Sequence, residues 1–256
     1  MRDRLPRVIG RIGTLRARAT KPEGYAGWMR DPRSGLWVRR TKSKNMVVLA
    51  GLTAMFKWIQ YGHADQGGSL RYMAVGTGKT TPAKSDVALV TENTRVAIDS
   101  WDNTNIASDP VVMIATRMFL TTEANAALME CGLFEASSGA PMFCRGLFGT
   151  GLITDATAAN PVSIESVGHD LADGDKIEIT GVEGMTELNN NQYFVDVQDV
   201  DNFELYSDAA LTTPVDGSAY TPYTDASPNT ATWKVVIPKT SAETLTVNYS
   251  LSIAAD

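Results

Sequence analysis

The sequence predicts a mainly β protein: an antiparallel β-sandwich body with one N-terminal α-helix, plus an inserted small β-domain and an extended N-terminal arm. Three observations support this fold class. The last segment alternates between apolar and polar residues, short strands and acidic turns fill the region from Gly149 to Thr232, and the first 45 residues are rich in arginine without a sustained helical or strand period. A chain of 256 residues is long enough to bury a substantial core.

The arm comprises residues 1–45. It carries 13 basic against 3 acidic residues, a net charge of +10, whereas the remaining 211 residues carry 10 basic and 26 acidic residues, a net charge of −16. Such asymmetry is typical of an interaction arm. The candidate contact residues are Arg2, Arg4, Arg7, Arg11, Arg16, Arg18, Tyr25, Trp28, Arg30, Arg33, Trp37, Arg39 and Arg40. We expect the arm to order against a partner surface, with a flexible tail as the alternative.

The body is predicted to span residues 46–150 and 232–256 and to begin with a helix. Asn45 is a suitable N-cap, and the helix is expected to end near Gly62. The apolar residues Val48, Leu52, Met55 and Ile59 lie on one face of a 3.6-residue period.

Strands are predicted from Leu70 onward. The patterns indicate a strand over 70–75, a strand buried on both faces over 111–120, and a hairpin of 128–134 with 142–148. In the final strand, Leu245, Val247, Tyr249, Leu251 and Ile253 alternate with polar residues, which predicts one buried face and one solvated face.

Residues 151–231 are predicted to form the inserted domain. Strands are expected at 162–166, 176–180, 193–197 and 202–206, and Lys176 is the one basic residue of this region. An insertion requires that its two ends lie close together.

Three passages resemble tailed-phage virion proteins. The first is the run Arg71 to Gly78 followed by Thr81-Pro82, Ser85-Asp86, Ala88-Leu89, Glu92 and Arg95. The second is Glu130 to Ala136 with Ser138-Gly139 and Met142 to Arg145, and the third is Lys239-Thr240 with Glu243 to Tyr249. The same order of elements occurs in the particle-attaching domain of the tail-collar fibre family. The insert resembles a module common in phage virion proteins, on Gly168-His169, Gly174 to Ile177 and Gly184 to Asn189.

The resemblance implies a structural virion protein of a tailed phage. It would be a neck, collar or tail component, for baseplate or fibre attachment, assembled in the host bacterial cytoplasm. Its partners would be other neck, tail or capsid subunits and further copies of itself in a ring, tethered through the basic arm. Two alternatives are a capsid decoration protein and a host-surface or glycan-binding module that uses Tyr193, Phe203, Tyr206, Tyr220 and Tyr223. Nucleic acid binding by the arm is possible but disfavoured by the acidic body.

The sequence predicts no catalytic, cofactor or metal site, so we expect a protein that is not an enzyme. Gly76 to Thr81 resembles a phosphate-binding loop, but Met73 occupies the position of its first glycine, which favours a tight turn. The spacing of Asp196, Asp199 and Asp201 differs from that of a calcium loop.

The remaining reactive residues favour structural roles. His169 is expected to hydrogen-bond backbone in its turn, and His63 lies in a different module. Cys131 and Cys144 are expected to be buried free thiols on opposite strands of the hairpin. No stretch approaches the roughly 18 apolar residues of a membrane span, so no membrane partner is expected.

Overall fold

A computed structural model describes residues 15–19, 29–30, 37–41, 46–47, 51, 70–105, 111–139, 141–225 and 228–253. Within these ranges the protein is mainly β and its strands pair antiparallel, which confirms that part of the predicted fold class. Apart from Gly51, whose backbone is helical, the helical structure in the same ranges is a single 3-10 turn at Thr186–Leu188.

The strands are numbered in chain order. The first ten are β1 Leu15–Ala19, β2 Met29–Arg30, β3 Trp37–Thr41, β4 Met46–Val47, β5 Tyr72–Gly76, β6 Glu92–Ala97, β7 Ser100–Asn105, β8 Val111–Phe119, β9 Ala127–Leu128 and β10 Glu130–Phe134. The others are β11 Met142–Leu147, β12 Thr150–Leu152, β13 Asp155–Ala156, β14 Ser163–Glu165, β15 Lys176–Thr180, β16 Gln192–Val197, β17 Asn202–Tyr206, β18 Thr232–Val235, β19 Ile237–Pro238 and β20 Leu245–Ile253.

A six-stranded sheet has the order β2-β3-β1-β20-β8-β7. The alternation predicted for β20 is confirmed over Leu245 to Tyr249, where Leu245, Val247 and Tyr249 are buried and Thr246 and Asn248 are half-buried, but Ser250 of the polar face is buried as well. This regular pattern arises because successive side chains of a strand point to opposite faces.

The prediction that β8 is buried on both faces is wrong. Ala115 and Phe119 are fully buried, whereas Met118 is 43% exposed. Met118 lies opposite Thr246 of β20 in an antiparallel register. The apolar residues on that face of β8 therefore lie beside the solvated face of its neighbour.

A five-stranded sheet has the order β4-β11-β10-β5-β6 and contains the predicted hairpin of β10 and β11. The helix predicted after Asn45 is wrong at its start, because Met46 and Val47 form β4 and pair with Arg145 and Cys144. Except for Gly51, the rest of the predicted helix lies outside the described residues.

A seven-stranded sheet has the order β12-β18-β15-β16-β17-β14-β13 and contains all four strands predicted for residues 151–231. Its first two strands, β12 and β18, come from the two ends of this region. They pair antiparallel, with Gly151 opposite Trp233. The two points where the chain passes between the predicted body and the predicted insert are therefore adjacent. Directly after β18, the short strand β19 pairs with β9.

One continuous apolar cluster connects the three large sheets. It includes Val247 of the six-stranded sheet, Leu133 of the five-stranded sheet, and Val195 and Leu205 of the seven-stranded sheet, all with no exposed area. Such burial is the dominant favourable contribution to folding.

Candidate interaction surface

The predicted interaction arm contributes strands to the six-stranded sheet. Arg16 and Arg18 lie on β1, Arg30 on β2, and Trp37, Arg39 and Arg40 on β3. The arm residues Arg2, Arg4, Arg7, Arg11, Tyr25, Trp28 and Arg33 lie outside the described residues. β1 pairs with β20 along Arg16–Ala19 of the arm. The sequence does carry a signal for β1, because Leu15 to Ala19 alternate apolar and basic residues with period two.

The negative charge of the chain is concentrated in residues 151–231. This region has 15 acidic residues and one basic residue, a net charge of −14. Residues 46–150 and 232–256 together have 11 acidic and 9 basic residues, a net charge of −2. Residues 1–45 are therefore strongly basic, residues 46–150 and 232–256 are nearly neutral, and residues 151–231 are strongly acidic.

A buried ion-pair network holds the loop between β5 and β6. Arg145 and Glu130 have no exposed area, and Arg145 Nε donates to Glu130 Oε2 over 2.7 Å. The same guanidinium donates to Asp86 Oδ2 over 2.8 Å and to the Thr80 carbonyl over 2.8 Å. A buried charge pair is stable only when such further hydrogen bonds satisfy it. The network fixes the loop, and all three guanidinium nitrogens of Arg145 donate to groups of the chain itself.

The glycine-rich turn after β5 belongs to this network. Glu130 Oε1 accepts hydrogen bonds from the backbone N–H groups of Gly78, at 3.0 Å, and Thr91, at 2.9 Å. A Cβ atom at position 78 would lie 2.3 Å from Glu130 Oε1, so glycine is required by this close approach. Lys79 pairs with Glu178 of β15. The Gly78 N–H group and the Lys79 ammonium group, which a phosphate would need, are therefore already bonded to carboxylates, and the tight turn stays a prediction.

The aspartates at 199 and 201 support turns. Asp199 Oδ1 accepts from the backbone N–H of Asp201 and Asn202, both at 2.8 Å, and these bonds lower the pKa of Asp199. Asp201 accepts from the backbone N–H of Gly168. Among the described residues, no group of three or more His, Cys, Asp or Glu side chains is placed to hold a metal ion.

His169 makes the backbone hydrogen bonds that its turn predicts. Leu171 N–H donates to Nδ1 over 3.0 Å, which assigns the ring proton to Nε2, and Nε2 lies 3.1 Å from the Asp199 carbonyl oxygen. The ring also packs edge-on against Phe203, with 5.1 Å between centroids. His63 lies outside the described residues.

The two cysteines are free and buried, as predicted. Cys131 lies opposite Gly146 and Cys144 opposite Leu133, so the two are diagonal neighbours across β10 and β11. Burial raises the pKa of both thiols, that of Cys144 to about 12. Burial also raises the pKa of the adjacent Tyr249, whose hydroxyl has no hydrogen-bond partner of ordinary geometry among the described residues. These groups are core residues with suppressed reactivity.

The aromatic residues of the insert form core and do not form an exposed platform. Tyr193 and Phe203 are buried, and Tyr220 and Tyr223 pack against the apolar cluster. Only Tyr206 of the five lies on the outer face of the seven-stranded sheet, at half-burial. Of the five residues named for the glycan-binding alternative, two are therefore buried and three are half-buried.

The outer face of the seven-stranded sheet carries two pairs of directly opposed carboxylates. Asp155 of β13 lies opposite Glu165 of β14, and Asp196 of β16 lies opposite Glu204 of β17. Asp155 and Glu165 are exposed, whereas Asp196 and Glu204 are half-buried. Intervening residues such as Val195 are fully buried on the inner face. All four carboxylates therefore share the outer face.

Two aromatic rings complete this surface. We call it the acidic face; it comprises Asp155, Glu165, Phe194, Asp196, Glu204 and Tyr206. Phe194 lies opposite Tyr206, and Lys176 Nζ is 5.4 Å from the centroid of the Phe194 ring. Burial and the charges of Glu204 and Asp196 raise the pKa of Tyr206. No ion pair between described residues involves any of the four carboxylates.

Sequence reasoning missed the acidic face. Each carboxylate belongs to a short strand or to a strand end, and nothing in the linear sequence shows which carboxylates face each other. The available signal was compositional, namely the near absence of basic residues from 151 to 231.

Residues 162–224 match the family model of the ubiquitin-activating enzyme E1 FCCH domain. This region, about a quarter of the chain, includes Asp196, Glu204 and both rings of the acidic face. The match overturns the resemblance to phage tail-collar and virion proteins inferred from the sequence, because the family that matches is a different one. No curated protein matches the chain. A match to one domain found in E1 enzymes does not make this chain an enzyme.

Among the described residues, no helix is long and apolar enough to span a membrane.

Proposed function

We propose that the chain is a structural, non-catalytic subunit that assembles with further copies of itself through its basic N-terminal arm. The observation that carries this proposal is the division of charge into a +10 arm, a −2 body and a −14 insert. Opposite charges on separate parts of one chain favour association between copies, because each copy offers both halves of a complementary contact.

The architecture supports a structural role. We propose that the six-stranded and five-stranded sheets form a sandwich body, into which residues 151–231 insert a small β-domain through the adjacent strands β12 and β18. Among the described residues, the buried charges of Glu130 and Arg145 are paired with each other. A rigid β body with a charged extension is suited to building an assembly.

A head-to-tail contact between identical copies produces a closed ring when the rotation between neighbours closes. The ring and its place in a virion, at the neck, collar or tail, are part of this proposal. The decoration alternative predicts hundreds of copies in each particle, whereas a ring predicts a few to about a dozen. A copy count on purified particles separates these two.

The experiment that tests the proposal keeps the arm strands in place. Deleting residues 1–45 would remove β1 and β3, which belong to the six-stranded sheet, so loss of assembly would have two explanations. A full-length chain with Arg2→Gln, Arg4→Gln, Arg7→Gln and Arg11→Gln neutralises residues upstream of β1. Lys84→Gln is the control, because it removes an exposed positive charge outside the arm.

Sedimentation velocity over a range of concentrations and at two salt concentrations gives the result. We expect the wild-type chain and the Lys84→Gln control to associate, with weaker association at high salt, and the quadruple variant to remain monomeric. A wild-type chain that is monomeric at all concentrations, or a quadruple variant that associates normally, would refute the proposed function. A mobility-shift measurement on the same proteins separates nucleic acid binding from self-association.

A further inference from the structure

We propose that the acidic face is the docking site for residues 1–14 of a second copy of this chain. The inference rests on the proposed function, because it names the surface that receives the arm of a neighbouring subunit. It commits to one occupant, the arginine-rich segment that precedes β1.

The first argument is a contrast within one sheet face. At the end nearest the body, Glu178 forms an ion pair with Lys79 and lies opposite Lys234 of β18. At the far end, no such ion pair is formed with Asp196 or Glu204 by any described lysine or arginine. Among the described residues, therefore, lysines neutralise the carboxylate at one end of the face, whereas Asp196 and Glu204 at the other end have no ion-pair partner.

The second argument is that repulsion between opposed carboxylates destabilises the sheet. Like charges that lie directly opposite each other on neighbouring strands destabilise a sheet. The acidic face contains two such pairs, Asp155 with Glu165 and Asp196 with Glu204, on adjacent rows. A protein whose strands repel each other in this way gains from a bound cationic segment, because attraction between each carboxylate and the cations offsets both repulsions.

The third argument is the chemistry of arginine. A guanidinium group pairs with carboxylates through two parallel hydrogen bonds and stacks on aromatic rings. The acidic face offers both kinds of partner side by side, since Phe194 and Tyr206 lie one row from Asp196 and Glu204. The approach of Lys176 to the Phe194 ring shows that this ring accepts a cation.

The fourth argument is the composition and reach of the segment. Residues 1–14 carry Arg2, Arg4, Arg7 and Arg11 against one acidic residue, Asp3. The segment ends at Leu15, where β1 begins at the six-stranded sheet. Fourteen extended residues span about 45 Å, which exceeds the diameter of a small domain and suffices to reach a neighbouring copy.

The test uses a full-length chain with Asp196→Asn and Glu204→Gln. The matched control carries Glu183→Gln and Asp225→Asn, which remove two exposed negative charges from loops of the same region. We expect self-association to weaken by about tenfold or more in the acidic-face variant and to stay near the wild-type value in the control. At a protein concentration where the wild-type chain is also monomeric, we expect the Tm of the acidic-face variant to exceed that of the wild type by about 1–2 °C, because a repulsive pair is removed.

The rise in Tm separates docking from a structural role. A residue pair that merely supports the fold would lower both Tm and association when neutralised. Loss of association in a more stable protein is the pattern expected of a docking surface.

A second experiment exchanges the charges. One chain carries Arg4→Glu and Arg7→Glu, and another carries Asp196→Arg and Glu204→Arg. Each chain alone has a repulsive contact and is expected to be monomeric. A mixture is expected to co-assemble, because the reversed arm of one chain matches the reversed face of the other and the unchanged halves also match.

The outcomes distinguish this inference from the proposed function. If the four arginine-to-glutamine changes abolish association but the acidic-face variant associates like its control, the arm docks elsewhere and the inference is wrong while the proposed function stands. If the mixture of reversed chains stays monomeric, the segment does not dock on this face of a second copy. The mixture would also stay monomeric if the arm bound the acidic face of its own chain, and such binding would overturn the inference.

Discussion

The body and the insert use their charged residues in opposite ways. In the body, Glu130 and Arg145 are fully buried, paired with each other and bonded to a loop that they hold in place. In the insert, Asp196 and Glu204 face each other at half-burial without an ion pair to a described residue. A charge that is paired internally serves the fold, whereas the opposed carboxylates of Asp196 and Glu204 are the contact that we propose for a partner.

The largest effect on stability is expected from removing one member of the buried pair of Glu130 and Arg145. Glu130→Gln preserves the shape of the side chain but leaves the Arg145 guanidinium buried beside a single carboxylate, that of Asp86. We expect the free energy of unfolding to fall by about 3–5 kcal/mol. Urea unfolding measures this change.

The matched control for that variant is Glu92→Gln. Glu92 pairs with Arg95 on β6, but its side chain is 31% exposed. We expect a loss below about 1 kcal/mol, as is usual for surface ion pairs. Equal losses in the two variants would show that the buried network does not hold the loop.

A smaller effect, of opposite sign, is expected on the acidic face. Glu165→Gln removes the charge that lies opposite Asp155. We expect the free energy of unfolding of the monomer to increase by about 0.2–1 kcal/mol, because opposed like charges destabilise a sheet. Asp225→Asn, in an exposed loop, is the control and should change stability by less than about 0.5 kcal/mol. A destabilised Glu165→Gln protein would contradict the repulsion on which the docking inference depends.

The smallest effect concerns a carboxylate that supports a turn of the insert. Backbone hydrogen bonds from Asp201 and Asn202 lower the pKa of Asp199. A carboxylate with a lowered folded-state pKa contributes stability that is complete above its unfolded pKa of about 3.9 and is lost as the pH falls through the folded value.

Asp199→Asn therefore tests whether the charge of this carboxylate stabilises the fold, unlike the opposed carboxylates of the acidic face. We expect the Tm of the wild-type chain to exceed that of Asp199→Asn at pH 7, and the difference to shrink as the pH is lowered to about 3. Thermal unfolding followed by circular dichroism at several pH values measures it. A difference that is independent of pH would show that the carboxylate charge of Asp199 does not stabilise the turn.

Local patterns predicted the regular elements well, because a strand with one buried face records its environment in its own sequence. The alternation over Leu245–Ile253 and the hairpin of β10 and β11 appear where the patterns place them. The pattern failed for Met46 and Val47, whose apolar character suits a helix and a strand equally, and their pairing with β11 decided between the two.

The candidate site was predictable only in part. The basic arm and the acidic region are visible in composition, which needs no structure. The family resemblance drawn from short motifs was wrong, because short runs of glycine, small residues and charges are shared by unrelated families. Glu130 belongs to one of these motifs and is buried with Arg145, whereas Glu165 lies outside them, on the surface opposite Asp155.

The sequence by itself determined the β character of this chain, the short strands of residues 151–231 and the separation of its charge, because these properties depend on neighbouring residues and on counts. Only the tertiary structure decided which charges meet. Glu130 and Arg145 come together through the pairing of β10 with β11, and Asp196 meets Glu204 through the pairing of β16 with β17. Register is set by the packing of whole sheets against the core. No local pattern therefore determines whether two carboxylates lie directly opposite each other, on neighbouring rows or far apart.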